Sequence, residues 1–470
     1  SIVLNGFLLA LNGTITLTSI TSNATIDASA AGSELFISSA DAASLPPDFI
    51  SENVANLTVE NGTGATVPST MNISEVLDVR EGTLNTGGFM TMVCSFGNSL
   101  TPRQTALLDR LVGTINGDLT VEQCFPARRA FRLVSSSVTT TSSIRDNWQE
   151  GATAYNDPSV PDNYGTHITG DNTSQMDNSL NNGLDWSPSG NPSLFTFSNN
   201  NTQQWDAVGN TDTNTLAAGE AYRLMIRGAR KDAGVVFDIT SNATDPTDTK
   251  LRSTGTVVKG SVSYNLPLVN GEVAMIGNPY HSIVDMQFVL NNSVGLSQSF
   301  VVWDPTLGGT PVPGDPGGRG AFVTVDATAN TNTNSSSEML KFLQPYQAVF
   351  VTSTTGAASS LTFEESYKNV TAKQVDVFST LPSPHYINMM LFDQLSFNNN
   401  DTSDDGLVVY FSPNFANVVN DNDAPKFFNI DENIARNENN DLISYEKRAM
   451  PQIDEVLELF TTQYRTTDYV

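Results

Sequence analysis

The chain is short of histidine, cysteine and positive charge. Its 470 residues hold three histidines, two cysteines and 23 basic side chains against 50 acidic ones, a formal net charge of -27. So few cations exclude the broad positive footprint that a nucleic-acid phosphate backbone needs. They also disfavour anionic membrane surfaces. No run approaches the roughly 18 consecutive apolar residues of a membrane span. The three histidines, His167, His281 and His385, lie far apart, with no HExxH and no Cys/His cluster, so a zinc site has no sequence support. A GxSxG elbow is also absent. Cys94 and Cys124 are the whole cysteine complement. Their spacing fits no metal motif: an exported chain would bridge them, and a cytosolic one would keep both as thiols.

Charge of either sign is sparse as well, at 16% of residues. The polarity comes from Asn, Thr, Ser and Gly, a composition suited to turns and exposed strand faces. Residues 1–95 alternate apolar and polar positions in short segments that echo one another, "LNGTITL", "NLTVENGT" and "EGTLNTGG". Such degenerate repeats predict a β-solenoid, in which each rung buries its inward residues by stacking on its neighbours. The segment "TPRQTALLDRLVG" predicts one helix over 101–113. Thr101 serves as N-cap, Pro102 takes the first helical position, Gln104 completes a capping-box pattern and Gly113 is the stop. That helix, within a junction spanning 96–125, is expected to cap the solenoid core. Longer, more aromatic strands follow, such as "AYRLMIRG", "SFVVWDP" and "GLVVYFSP", joined by polar loops at 155–183 and 305–319. They predict one or two β-sandwich modules, placed at 126–365 and 366–470. The whole is read as all-β. The opening "SIVLNGFLLALNGTITLT" starts inside a strand pattern and the last residues end in another, so both ends read as interrupted.

An ordered set of motifs carries a resemblance. "PARRAFRLVSSSV", "LAAGEAYRLMIRG", "MIGNPYHSIVDM" and "SFVVWDP", after repeats of the "GTLNTGG" kind, resemble large secreted, adhesin-like surface proteins of Bacteroidota exported by the type IX secretion system. The resemblance covers most of the chain. It implies export across the outer membrane to the cell surface, and it brings no catalytic residues. Such proteins usually end in a sorting domain, and none is recognisable after Tyr464. Cys124 stands where that family would lead one to expect an aromatic residue.

Site expectations follow from residue types. Arg128, Arg129 and Arg132 are concentrated in an acidic chain. On a strand Arg128 and Arg132 share one face and Arg129 takes the other. They are expected to clamp the solenoid-to-sandwich junction through carboxylates, with an acidic polysaccharide as the alternative partner. "NNNDTSDDG" and "NDNDAP" offer Asp401, Asp404, Asp405, Asp421 and Asp423 as oxygen ligands for calcium, although the spacing matches no EF-hand. Trp148 and Trp303 fall near strand ends and could stack on a sugar ring, though tryptophan is also a common core residue. The expected role is structural or adhesive, without catalysis: a filament-forming subunit or a segment of a long adhesin. Its partners would be further copies or neighbouring domains that add to its terminal strands. The alternative is a secreted protein that binds or degrades carbohydrate, since β-solenoids also host polysaccharide lyases and glycosidases.

Overall fold

The computed structural model describes residues 2–3, 8–11, 26–38, 43–44, 50–96, 104–172, 182–200, 202–241, 244–307, 320–334, 337–375, 385–399, 403–411, 415–420, 423–429, 432–451 and 455–470. Nearly all of the regular structure in these residues is β-strand, and the helices are short.

The described strands between Ile26 and Phe125 stack mainly in parallel. Ile26–Ala28 and Glu34–Ile37 both pair with Ile50–Glu60, which pairs with Met71–Glu81, then Met90–Met92, then Leu119–Phe125. A second parallel sheet stacks Ala43–Ser44, Ala65–Thr66, Thr83–Asn85 and Thr114–Asn116. Each pass of the chain therefore adds one strand to each sheet, the geometry of a solenoid. The register places Val54 on Ile73, Leu57 on Leu77, Val59 on Val79 and Ile73 on Met92, all fully buried. Stacking like on like is what removes these side chains from water, because a single rung cannot cover its own apolar face. The repeated Asn-Gly and Glu-Gly corners have a steric cause. At Gly82, with φ of 72°, a Cβ would lie 1.9 Å from the Asn61 carbonyl oxygen; at Gly64 it would lie 2.3 Å from that of Thr83. Successive corners approach so closely that only glycine fits.

The helix expected over 101–113 does not form in its described part, 104–113. Gln104–Thr105 pairs antiparallel with Cys94–Ser95, and Leu107–Leu108 pairs in parallel with Val76 and Leu77. Thr101 and Pro102 lie outside the described residues. Ala106, Leu107, Leu108 and Leu111 are all buried, and the Asp109 amide donates to the Leu77 carbonyl at 2.9 Å. The apolar residues read as a helix face instead extend a rung, so tertiary pairing overrides local capping chemistry.

A returning strand caps the stack. Leu119–Phe125 pairs antiparallel with Thr249–Val257 over seven registered positions, and Val138–Thr139 pairs with that strand's other end. Parallel stacking stops there. Lys250 meets Glu122 at 2.8 Å, Tyr164 donates to Glu122 at 3.0 Å, and Arg252 forks onto the buried Glu150. Acid–base pairing through Lys250 and Arg252 thus clamps the seam. The Cys94–Cys124 disulfide closes beside it, joining the excursion after Met92 to the last parallel strand.

Beyond the seam, two antiparallel sheets face each other. One orders Ala130–Ser135, Ala221–Ile226, Leu194–Phe197 and Trp205–Ala207; the other orders Val273–Gly277, Ala348–Ser353, Leu296–Asp304, Ala321–Asp326 and Thr331–Asn332. The Gly277-Asn278-Pro279-Tyr280 segment locks them together. The buried Asn278 amide donates to the carbonyls of Ser282 at 2.8 Å and Gln344 at 3.0 Å, and its own carbonyl accepts from Ser135 Oγ at 3.1 Å. One hydrophobic core runs from Ile26 to Phe363 through solenoid and sandwich alike. The chain divides into compact units at Ser1–Thr380 and Leu381–Val470, and the solenoid strands and the two facing sheets belong to the first. The second unit is a mixed six-stranded sheet containing His385–Leu391, Asp405–Phe411, Asp441–Arg448, Asn433–Glu438 and Leu459–Thr462. Its own core is built on Leu391, Leu407, Val409, Phe411 and Ile434.

The disulfide spans 30 residues. Replacing Cys94 and Cys124 together by Ser is expected to lower unfolding stability by about 3–4 kcal/mol on a chain-entropy estimate. Denaturant titration of the first unit's transition measures this. An unchanged midpoint would show that the bridge adds nothing to the stack.

Candidate functional site

The three arginines of "PARRAFR" part company as the strand alternation requires. Arg132 is buried, donating from Nη1 to the carbonyls of Arg128 and Ala130, both at 3.0 Å, with its guanidinium 5.7 Å from the centre of the Phe125 ring. Arg128 is also buried, which pushes its pKa down, an effect that the charge of Asp304 opposes. These two brace the chain as it leaves the seam. Arg129 takes the other face and lines a cavity of about 390 Å3, within the roughly 300–1,000 Å3 usual for small-molecule pockets.

The wall of this cavity is a strand ladder. Ala130–Ser135 pairs antiparallel with Ala221–Ile226, with Leu133 opposite Arg223, Phe131 opposite Met225 and Ala130 opposite Ile226. Arg129 and Arg227 lie just beyond the ends of these two strands. Arg129, Phe131, Met225 and Arg227 all line the cavity.

The facing wall is the turn 187–193. Gly190, with φ of 61°, shapes it, and the turn contributes Ser187, Ser189 and Ser193 with Pro188 and Pro192. Each serine oxygen accepts a backbone N–H: Ser187 from Gly190 at 3.2 Å, Ser189 from Asn191 at 3.3 Å, and Ser193 from Thr169 at 2.8 Å. That orients the hydroxyls and leaves each hydroxyl hydrogen to donate elsewhere. Ser187 and Ser193 are buried.

An aromatic track leads away from the cavity. Arg223 sits 3.9 Å from the Phe131 ring centre and 5.1 Å from that of Trp205. Trp205 meets Phe350 edge-on at 5.9 Å, Phe350 meets Phe322 at 6.0 Å, and Phe322 meets Trp303 at 4.7 Å. Phe322 is 55% exposed, so the track ends at solvent. Trp303, half-buried, belongs to this track. Trp148 does not. It is wholly buried, donates from Nε1 to Ser253 Oγ at 3.1 Å and packs edge-on against Tyr222 at 5.5 Å, so it is a core residue and no sugar can stack on it.

The acidic loops fold inward on themselves. Asp401 and Asp421 lie outside the described residues. Asp405 pairs with Lys426 and accepts from the Ile434 amide at 2.7 Å; Asp404 accepts from the Asp393 amide at 2.8 Å; Asp423 accepts from the amides of Lys447 and Asn420, each at 2.8 Å. Among the described residues no group of three or more His, Cys, Asp or Glu side chains converges.

The residues missed in the sequence are Arg223 and Arg227. They stand four apart in "AYRLMIRG", so they share a strand face, and that spacing was visible. The contact of Arg223 with Phe131, and the shared cavity of Arg227 and Arg129, needed the ladder register.

Two buried histidines set the acid limit of the fold. His281 is held neutral by burial, reinforced by Lys368, with its pKa pushed down to about 3 from 6.5. Burial, with Arg230 nearby, also pushes His167 down. The unfolded chain binds their protons near 6.5, so this contribution to stability is full above pH 6.5 and is lost as pH falls below it, for His281 down to about 3. The loss is up to about 1.4 kcal/mol per pH unit per histidine. Glu150 acts in the opposite sense. Burial, only partly offset by Arg252, raises it from 4.5 to about 7, so its contribution is present below pH 4.5 and lost as pH rises through 7. Urea titrations between pH 8 and pH 4 are expected to show a shallower acid-side loss for His281→Leu and, for Glu150→Gln, a smaller fall in stability as pH rises through 7. Parallel profiles for wild type and both variants would refute these assignments.

No protein-family model, no curated protein and no solved structure matches this chain.

Proposed function

We propose that the chain is an exported, cell-surface protein with a structural or adhesive role, of the adhesin-like kind delivered across the outer membrane of Bacteroidota by type IX secretion. One observation carries the reading: the Cys94–Cys124 bridge closes across the last rungs of a stacked β-solenoid. Structural disulfides persist in oxidising compartments and are rare where thiols are kept reduced. A long stack with a polar, weakly charged surface suits a spacer or an adhesive stalk. Its partners are further copies or adjoining domains of a longer surface chain, added along a sheet edge. Calcium bound by the 398–406 and 420–425 loops would stiffen the second unit. No residue is assigned a catalytic role.

A second reading, a secreted carbohydrate-binding protein, is favoured by the aromatic track that ends on Phe322 and Trp303, since flat rings with an exposed face suit pyranose stacking.

Protease shaving of intact source cells is expected to release fragments of this chain, and electron microscopy of gently sheared material is expected to show rods or regular filaments. Protection from protease until the cells are lysed would sink the surface reading. For the second reading, Trp303→Ala is expected to weaken glycan retention several-fold in affinity electrophoresis; unchanged retention would take Trp303 out of it.

A further inference from the structure

We infer that the outer strand of the second unit's sheet, His385–Leu391, is a contact between two copies of this chain, which pair it antiparallel about a two-fold axis at Asn388. The inference rests on the proposal above that copies join along a sheet edge, and it names the edge.

The strand stands at one end of the sheet order, and among the described residues it pairs only with Asp405–Phe411. Just beyond it, Phe392 and Val470 exchange backbone hydrogen bonds at 3.0 and 2.9 Å, so the open stretch lies before Phe392. An open strand is a template for pairing, and proteins that must stay apart blunt it with lysine, proline or a bulge. Here nothing blunts it. The sequence "HYINMML" holds no proline, lysine, arginine or carboxylate, in a chain with 50 acidic residues. Its seven registered positions against Asp405–Phe411 run without a bulge. Apolar side chains are exposed on both of its faces, Tyr386 at 59% and Met390 at 52% on one and Ile387 at 42% on the other.

The occupant follows from the symmetry of the strand itself. Antiparallel pairing about Asn388 sets Tyr386 opposite Met390 of the second copy, Ile387 opposite Met389, and Asn388 opposite Asn388. On one face, Leu391 and Met389 belong to the unit's core, and Ile387 carries that line to the open end. Met389 of the second copy covers it. On the other face, Tyr386 ends a row of rings, 5.5 Å from Tyr410, which is 5.2 Å from Tyr445. Met390 of the second copy extends that row by a sulfur–aromatic contact. No charge meets a like charge anywhere in this register. So short a strand makes a weak, reversible contact, which display of many copies on one surface strengthens.

Sedimentation velocity of the full chain over a concentration series tests this, with Asn388→Lys and Asn388→Asp. Asn388 is exposed, so neither substitution disturbs the core. Wild type is expected to dimerise reversibly. Each variant alone sets like charges across the two-fold axis and is expected to weaken the dimer about tenfold or more, while an equimolar mixture of the two is expected to restore it as a heterodimer. Wild type that stays monomeric at every concentration would overturn the inference while leaving the surface reading to the shaving experiment. Dimers undiminished in both variants alone would place the contact elsewhere and overturn the edge. A mixture that fails to restore a dimer lost in each variant would overturn the two-fold register.

Discussion

Everything in the first unit depends on the antiparallel pairing of Leu119–Phe125 with Thr249–Val257. A parallel stack has no internal reason to stop, since its last strand presents an unpaired edge as inviting as the first. Reversal of direction at this seam ends the stacking and converts that edge into the foundation of the sandwich. The seam also explains why one apolar core runs through both halves: the strand that caps the solenoid also pairs with Val138–Thr139, which follows directly on the sandwich strand Ala130–Ser135. Charge reinforces the same line, with Glu122 and Glu150 held by Lys250 and Arg252. Buried pairs of this kind stabilise little against an apolar alternative but are costly to break singly, so they specify register more than they add stability.

The solenoid was legible because its determinants are local. Period-two alternation and glycine corners recur along one continuous stretch, and the corners demand glycine for a reason that any two neighbouring rungs impose. The 101–113 segment was misread because Leu107, Leu108 and Leu111 fit a helix face and a rung equally well, and the choice is made by Val76 and Leu77, some thirty residues earlier. Arg129 illustrates the limit for sites. Its separation from Arg128 and Arg132 follows from strand alternation alone, whereas its place in one cavity wall with Arg227 depends on pairing between segments nearly a hundred residues apart. Trp148 was ambiguous for the reason tryptophan usually is: a large ring serves a core and a surface platform alike, and only Ser253 and Tyr222 decide between them.

The motifs "PARRAFRLVSS" and "GNPY" carry structure before chemistry. Ser135 from the first donates to Asn278 of the second, and at Gly277 a Cβ would lie 2.4 Å from Ser135 Cβ, so the two segments meet where the facing sheets are joined. Alternation then frees the opposite face of the first motif for the cavity. One short strand thus fixes the sandwich with one set of side chains and lines a pocket with the other, a division that period-two geometry makes automatic.

The Cys94–Cys124 bridge has a mechanical meaning. If tension is applied along the chain, the residues between the two sulfurs cannot extend, because the load crosses the covalent bond instead. About 100 Å of contour length, at roughly 3.3–3.6 Å per residue over the 30-residue span, is withheld from any forced extension. The withheld segment contains the excursion after Met92 and leads directly into the seam. Pulling would therefore spend its work outside this covalently closed loop.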